Sequence, residues 1–124
     1  MRRGIGCSFC VLLLLTGCSK STAYWIEQAK ADDSAKRLQA IHALQERIAE
    51  GATVVPVLLE ALKDENTYVR RDAARALGQF GPEAKDAIPP LVVCLKDREP
   101  SVKKAAAQSL KQIDLVAASK AGVR

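Results

Sequence analysis

The chain has 124 residues, 48% hydrophobic and 27% charged, with aromatics held to 4%. That composition fits one small globular domain whose core is built from Leu, Val, Ile and Ala. Its net charge of +5, two units of which sit on Arg2 and Arg3, is too mild an excess to indicate nucleic acid by itself.

Met1-Arg2-Arg3 opens the chain as a positive segment, and Ile5 to Leu15 follows as a short apolar run. The run is too short to span a bilayer stably and has the length of a signal-peptide core. Leu15-Thr16-Gly17-Cys18 comes next and resembles the bacterial lipobox: a branched apolar residue, two small ones and a cysteine. The resemblance implies cleavage before Cys18, a diacylglycerol thioether on its sulfur, and residence on a bacterial membrane, the outer one in a diderm because Ser19 is not Asp. Each buried acyl CH₂ contributes about 0.8 kcal/mol, so two or more chains anchor a protein firmly. Residues 1–17 are therefore expected to be a leader, and residues 18–23 the lipidated cysteine with a polar tether. From Ser19 to Ala23 that tether spans at most about 17 Å.

Cys7 and Cys10 fall in the leader, and their C-x-x-C is followed by Val11 rather than the His of a haem attachment site. Cys94 is left as a lone thiol on an apolar helix, where it reads as a small hydrophobe.

Residues 24–50 read as the first of three helix pairs. Asp32-Asp33-Ser34 suits the cap of its second helix, and Gly51 is the expected stop. The second pair, residues 54–81, is the clearest. Val54, Val55, Leu58, Leu59 and Leu62 give one apolar stripe, with Pro56 expected in the first turn. Val69, Ala73, Ala76, Leu77 and Phe80 give another, ended by Gly81-Pro82. The third pair, residues 87–114, repeats the second at an offset of 33. Leu58 maps to Leu91, Asp64 to Asp97, Val69 to Val102 and Leu77 to Leu110. Backward by the same offset, Leu58 maps to Trp25, Ala73 to Ala40 and Leu77 to Leu44, while Val69 meets Lys36. A degenerate copy at one end is expected, because its outer face meets water. Trp25 then reads as a core or end-cap residue. Residues 115–124 are Ala-rich and either extend the last helix or fray.

A single pair cannot hide two apolar stripes, whereas about three stacked pairs can. The period predicts an all-α fold, a short solenoid of about three stacked helix pairs, in which Ala73, Ala74, Ala106 and Ala107 allow close approach. Ankyrin and tetratricopeptide signatures are absent. The pattern PxLLxxLKDxxxxVRxxAAxALGxFG from Pro56 to Gly81 resembles the short bacterial HEAT repeat. That resemblance implies a ladder of acid–base pairs between adjacent units, with Asp64 and Arg70 and then Asp97 and Lys103 in its positions. Ala31 departs from the pattern although Arg37 keeps it, so the ladder is expected to start at the second unit. Such exposed pairs contribute about 0–1 kcal/mol each.

No catalytic group stands out. His42 is the single histidine, is equivalent by offset to Arg75, and reads as a surface residue without an orienting partner. No metal-ligand spacing and no phosphate-cradling loop is present, so no cofactor, metal or small-molecule substrate is expected. Arg70, Arg71 and Arg75 with Lys103, Lys104 and Lys111 form a basic row on the second helices, read as a solvated face or as a docking site for an acidic envelope protein. Export sets nucleic acid aside. The function expected is a non-enzymatic scaffold for protein–protein interaction; the competing expectation is a structural or self-associating envelope protein.

Overall fold

The structure is a computed structural model and describes residues 20–124. The expected leader and the lipidation site Cys18 lie outside those residues. Seven α-helices follow in order among the described residues: α1 Thr22–Gln28, α2 Ser34–Gln45, α3 Gly51–Ala61, α4 Thr67–Gln79, α5 Ile88–Cys94, α6 Pro100–Ile113 and α7 Leu115–Lys120. Short 3-10 turns at Ile48–Glu50 and Gly81–Ala87 lead into α3 and α5. The fold is all-α, a short α-solenoid of three helix pairs in which α1, α3 and α5 are the first helices and α2, α4 and α6 the second.

The second helices form the spine. α4 packs against α2 on one side and α6 on the other, and each first helix packs on its own partner. Offsets of 33 reappear as burial. Leu44, Leu77 and Leu110 are fully buried, as are Ala40, Ala73 and Ala106, and the pair Leu58 and Leu91. Buried Val69 and Val102 have exposed Lys36 as their counterpart in the first unit. Trp25, the counterpart of Leu58, is half-buried against the core and meets Tyr24 edge-on at 5.0 Å.

The closest approach of two spine helices falls at residues absent from the expected alanine set. Ser109 Oγ donates to the Ala74 carbonyl across α4 and α6. A Cβ on Gly78 would lie 2.9 Å from Ser109 Cα, closer than backbone atoms tolerate.

Caps and breaks differ in part from expectation. Asp33 caps α2 by accepting from Ala35 N–H, and Asn66 caps α4 by accepting from Tyr68 and Val69 N–H. Gly81, with φ of +56°, turns the chain out of α4. Gly51 is not a stop, because α2 already ends at Gln45, where Arg47 Nη1 donates to the Ala43 carbonyl. Instead Gly51 begins α3 under Phe80, whose ring would lie 3.3 Å from an added Cβ. With α3 starting a turn early, Pro56 sits inside the helix rather than in its first turn. The tether is also shorter than expected. Ser21 accepts from Tyr24 N–H and starts α1 at Thr22, so Thr22 and Ala23 are helical. The tail neither extends α6 nor frays. Asp114, extended at φ −158°, caps a separate helix α7, whose Ala118 is buried against the last unit.

The ladder is displaced by one unit from the expected pairing, and it is not exposed. Arg37 Nε and Nη2 donate to both carboxylate oxygens of Asp64, 27 residues on, at 2.7 and 3.0 Å. Arg70 does the same to Asp97 at 2.9 and 3.2 Å. The remaining nitrogen of each guanidinium donates backward, from Arg37 to the carbonyls of Ala31 and Asp32 and from Arg70 to those of Asp64 and Glu65. Asp64 and Asp97 also accept the N–H two residues on, from Asn66 and Glu99. The ladder thus begins at Arg37, in the first unit, and Lys103 is an exposed residue outside it. The side chains of Arg70 and Asp97 keep only 8% and 13% of their surface. A planar fork that bridges two turns leaves little room for water, which is why these pairs differ from ordinary surface pairs.

Burial alone pushes the Asp97 carboxyl up, but the hydrogen bond from Arg70 and the N–H of Glu99 outweigh it and hold Asp97 below the usual carboxylate range. With a depressed native pKa, its stabilisation is complete above the unfolded value of about 3.9 and is lost as pH falls through the native value. In urea denaturation at pH 7, Arg70→Ala is expected to cost about 3 kcal/mol, since it strands a buried carboxylate and two carbonyls. Lys103→Ala is expected to stay within about 0.5 kcal/mol. The gap between the native protein and Asp97→Asn should narrow as pH drops below about 4. Gly78→Ala carries opposite terms. Helix propensity favours it by about 1 kcal/mol, while overpacking against Ser109 costs about 1–3 kcal/mol. The listed contact is backbone and cannot rotate away, so net destabilisation is expected in the same assay.

Candidate functional site

The 33-residue period aligns the outward stripe of each second helix. Tyr68, Arg71, Arg75 and Gln79 on α4 correspond to Ser101, Lys104, Gln108 and Gln112 on α6, and Arg75 and Gln79 to His42 and Glu46 on α2. Two open clefts of about 400 Å³ each cross this face. One lies between α2 and α4, lined by His42, Gln45, Glu46, Asp72 and Arg75. The other lies between α4 and α6, lined by Arg75, Gln79, Gln108, Ser109, Lys111 and Gln112. Arg75 borders both, so the two read as one polar groove running across three units.

Asp72 is the buried centre of the first cleft. It accepts from His42 Nε2 at 2.7 Å and from Arg71 Nε at 2.7 Å, and Arg75 Nη1 lies 3.8 Å away. Burial pushes its carboxyl up, but the hydrogen bonds from Arg71 and His42 prevail and hold it below its ordinary range. His42 therefore does have an orienting partner, contrary to the sequence expectation, while half of its side chain stays exposed. His42 sits on one unit and Asp72 on the next, so the pair also staples α2 to α4. Arg71 is further held over the Tyr68 ring, 5.2 Å from its centre.

The expected basic row separates into three groups. Arg70 is withdrawn into the ladder and has no free face. Arg71 is committed to Asp72. Arg75, 61% exposed, and the exposed Lys104 and Lys111 remain as cations on the groove side, while Lys103 occupies the ladder register on the adjoining edge. Arg75 and Lys111 line the same cleft; Lys111 Nζ also donates to the Arg124 carbonyl. His42, Asp72 and the three glutamines were not singled out as a site. His42 and Asp72 are 30 residues apart, one helical turn less than the repeat, and that offset is the signal that places them together.

Cys94 is buried; loss of solvation, and then the nearby Asp97 charge, push its thiol up and keep it inert. Among the described residues, no group of three or more His, Cys, Asp or Glu is placed to hold a metal, and no helix is long and apolar enough to cross a membrane.

This geometry has counterparts among known proteins. The family model for HEAT repeats matches residues 22–111. A similar solved structure is the complex of CpcE and CpcF of phycocyanin lyase from Nostoc sp. PCC7120, with a TM-score of 0.72 and 32% sequence identity. The similarity covers 82% of this chain and 40% of that one, so the chain spans well under half the length of that relative. No curated protein matches the sequence. With three units at a period of 33 and a family match over most of its length, the chain belongs to the HEAT-repeat family.

Proposed function

We propose that the chain is a lipid-anchored HEAT-repeat module of the bacterial envelope, and that it binds a protein partner along its second helices rather than catalysing a reaction. The observation that carries this reading is the groove shared by two clefts around Arg75. It is open, polar and repeated across units, which suits an extended partner surface better than an enclosed substrate. A helical-repeat relative solved as a two-protein complex supports a protein partner. The exposed cations Arg75, Lys104 and Lys111, with Arg71 behind them, favour an acidic one. Anchoring rests on Leu15-Thr16-Gly17-Cys18 and the apolar run before it.

Both halves are open to direct tests. Crosslinking in native membranes from a photoreactive residue at Lys104 should capture one stoichiometric partner. The triple charge reversal Arg75→Glu, Lys104→Glu, Lys111→Glu should weaken that complex at least about tenfold, equivalent to 1.4 kcal/mol, with an unchanged thermal melt. Capture of the same chain alone would support the structural, self-associating reading instead. For the anchor, radiolabelled palmitate should label the native protein and not Cys18→Ser, which should leave the membrane fraction.

A further inference from the structure

The end of the first unit joins the anchor to the body without slack. Arg47, just past α2, reaches back across the entry of the chain. Its Nη2 donates to the Lys20 carbonyl at 2.8 Å and its Nε to Thr22 Oγ1 at 3.0 Å, while Nη1 caps α2 through the Ala43 carbonyl. One guanidinium thus clamps Lys20 and Thr22 to the helix that supplies the first unit's core. The Lys20 side chain closes over the same tip. Its Nζ donates to the Tyr24 hydroxyl at 2.9 Å and lies 4.3 Å from the centre of the Tyr24 ring and 5.4 Å from that of Trp25. Tyr24 and Ile48, the neighbour of Arg47, are both exposed at this end, and Trp25 is half-buried.

Only Ser19 separates Cys18 from the clamped Lys20. Two residue steps reach at most about 7 Å, less than the width of one helix with its side chains. An acyl chain on Cys18 therefore brings Lys20, Tyr24 and Trp25 to the level of the headgroups, whatever the rest of the domain does. Those residue types suit that level. Tyr and Trp carry an apolar body and a polar handle and concentrate at membrane–water interfaces, and Lys lays its stem on apolar surface while its ammonium stays wet. Charge attraction is not the cause, because Glu27, the nearest carboxylate of α1, is paired with Lys30 at 3.5 Å, and Glu46 and Glu50 offset Arg47.

We infer that the tip formed by Lys20, Tyr24, Trp25 and Ile48 is a membrane-facing surface, and that Arg47 fixes the solenoid to the bilayer at that end instead of letting it swing on a tether. The inference rests on lipidation of Cys18, and its test separates the two. Trp25 is the single tryptophan of the chain, so its fluorescence reports this tip alone. The full-length lipidated protein is reconstituted into phosphatidylethanolamine–phosphatidylglycerol vesicles, with or without a nitroxide quencher on the lipid headgroup. Vesicle flotation is measured on the same samples. Expected is co-flotation with Trp25 emission reduced by about half. In Arg47→Ala the protein should still float and keep its circular dichroism, while quenching falls at least about twofold as the clamp opens. Flotation of the native protein without quenching overturns the membrane-facing tip and leaves the anchor standing. Quenching that is indifferent to Arg47→Ala overturns the clamp. Failure to float overturns the anchor itself, and the inference with it.

Discussion

The constraint on which the structure depends is that each ladder arginine serves two units at once. Apolar stripes drive the helix pairs together, but burial is non-directional and would tolerate sliding by a turn. A guanidinium does not tolerate it. Arg37 and Arg70 each spend one nitrogen on their own turn's carbonyls and two on the carboxylate of the next turn. Each carboxylate is itself held by the N–H two residues along. Moving one unit by a single turn breaks all of these bonds together. The ladder therefore sets the register in which Leu44, Leu77 and Leu110 line up, and that register places the groove.

The groove shows a second use of the same device. Asp72 draws His42 from one side and Arg71 from the other, so a carboxylate buried for structure also shapes the floor of a polar surface. Arg71 is thereby neutralised, and Arg75 is left to present most of the positive charge at the junction of the two clefts. A partner that engages Arg75 meets a site whose floor is already fully hydrogen-bonded, so little ordering is needed on this side when it binds.

The fold was legible because it is periodic. An offset of 33 brings the buried residues into correspondence, and helical spacing within each copy identifies their faces. What escaped was everything that depends on geometry between copies. Arg37 and Asp64 are 27 apart, and His42 and Asp72 are 30 apart; both offsets are the repeat less a whole number of turns, visible only once the stacking direction is known. Reading Asp64 with Arg70 inside one unit placed the ladder one unit late and placed Arg70 on the surface. Gly51 looked like a stop because glycine commonly ends helices, whereas here the reason for it is the Phe80 ring. The clamp from Arg47 to Lys20 had no sequence signal at all, being a single contact that does not repeat.

The two ends of the solenoid bear on whether such a module would extend by stacking on its own kind. A head-to-tail contact would continue the ladder, with the base of the last unit reaching the acid of the next molecule's first turn. In that position the first unit carries Ala31, which has no carboxylate, and the neighbouring Asp33 is committed to capping α2. At the other end the base is Lys103, a point charge without the planar fork that bridges two turns. α7 also lies over the last unit and buries Ala118 there. Each end thus withholds the group that its counterpart would need. The chemistry that joins units within the chain is absent from its ends, which turns the molecule's recognition surface toward the flank formed by the second helices.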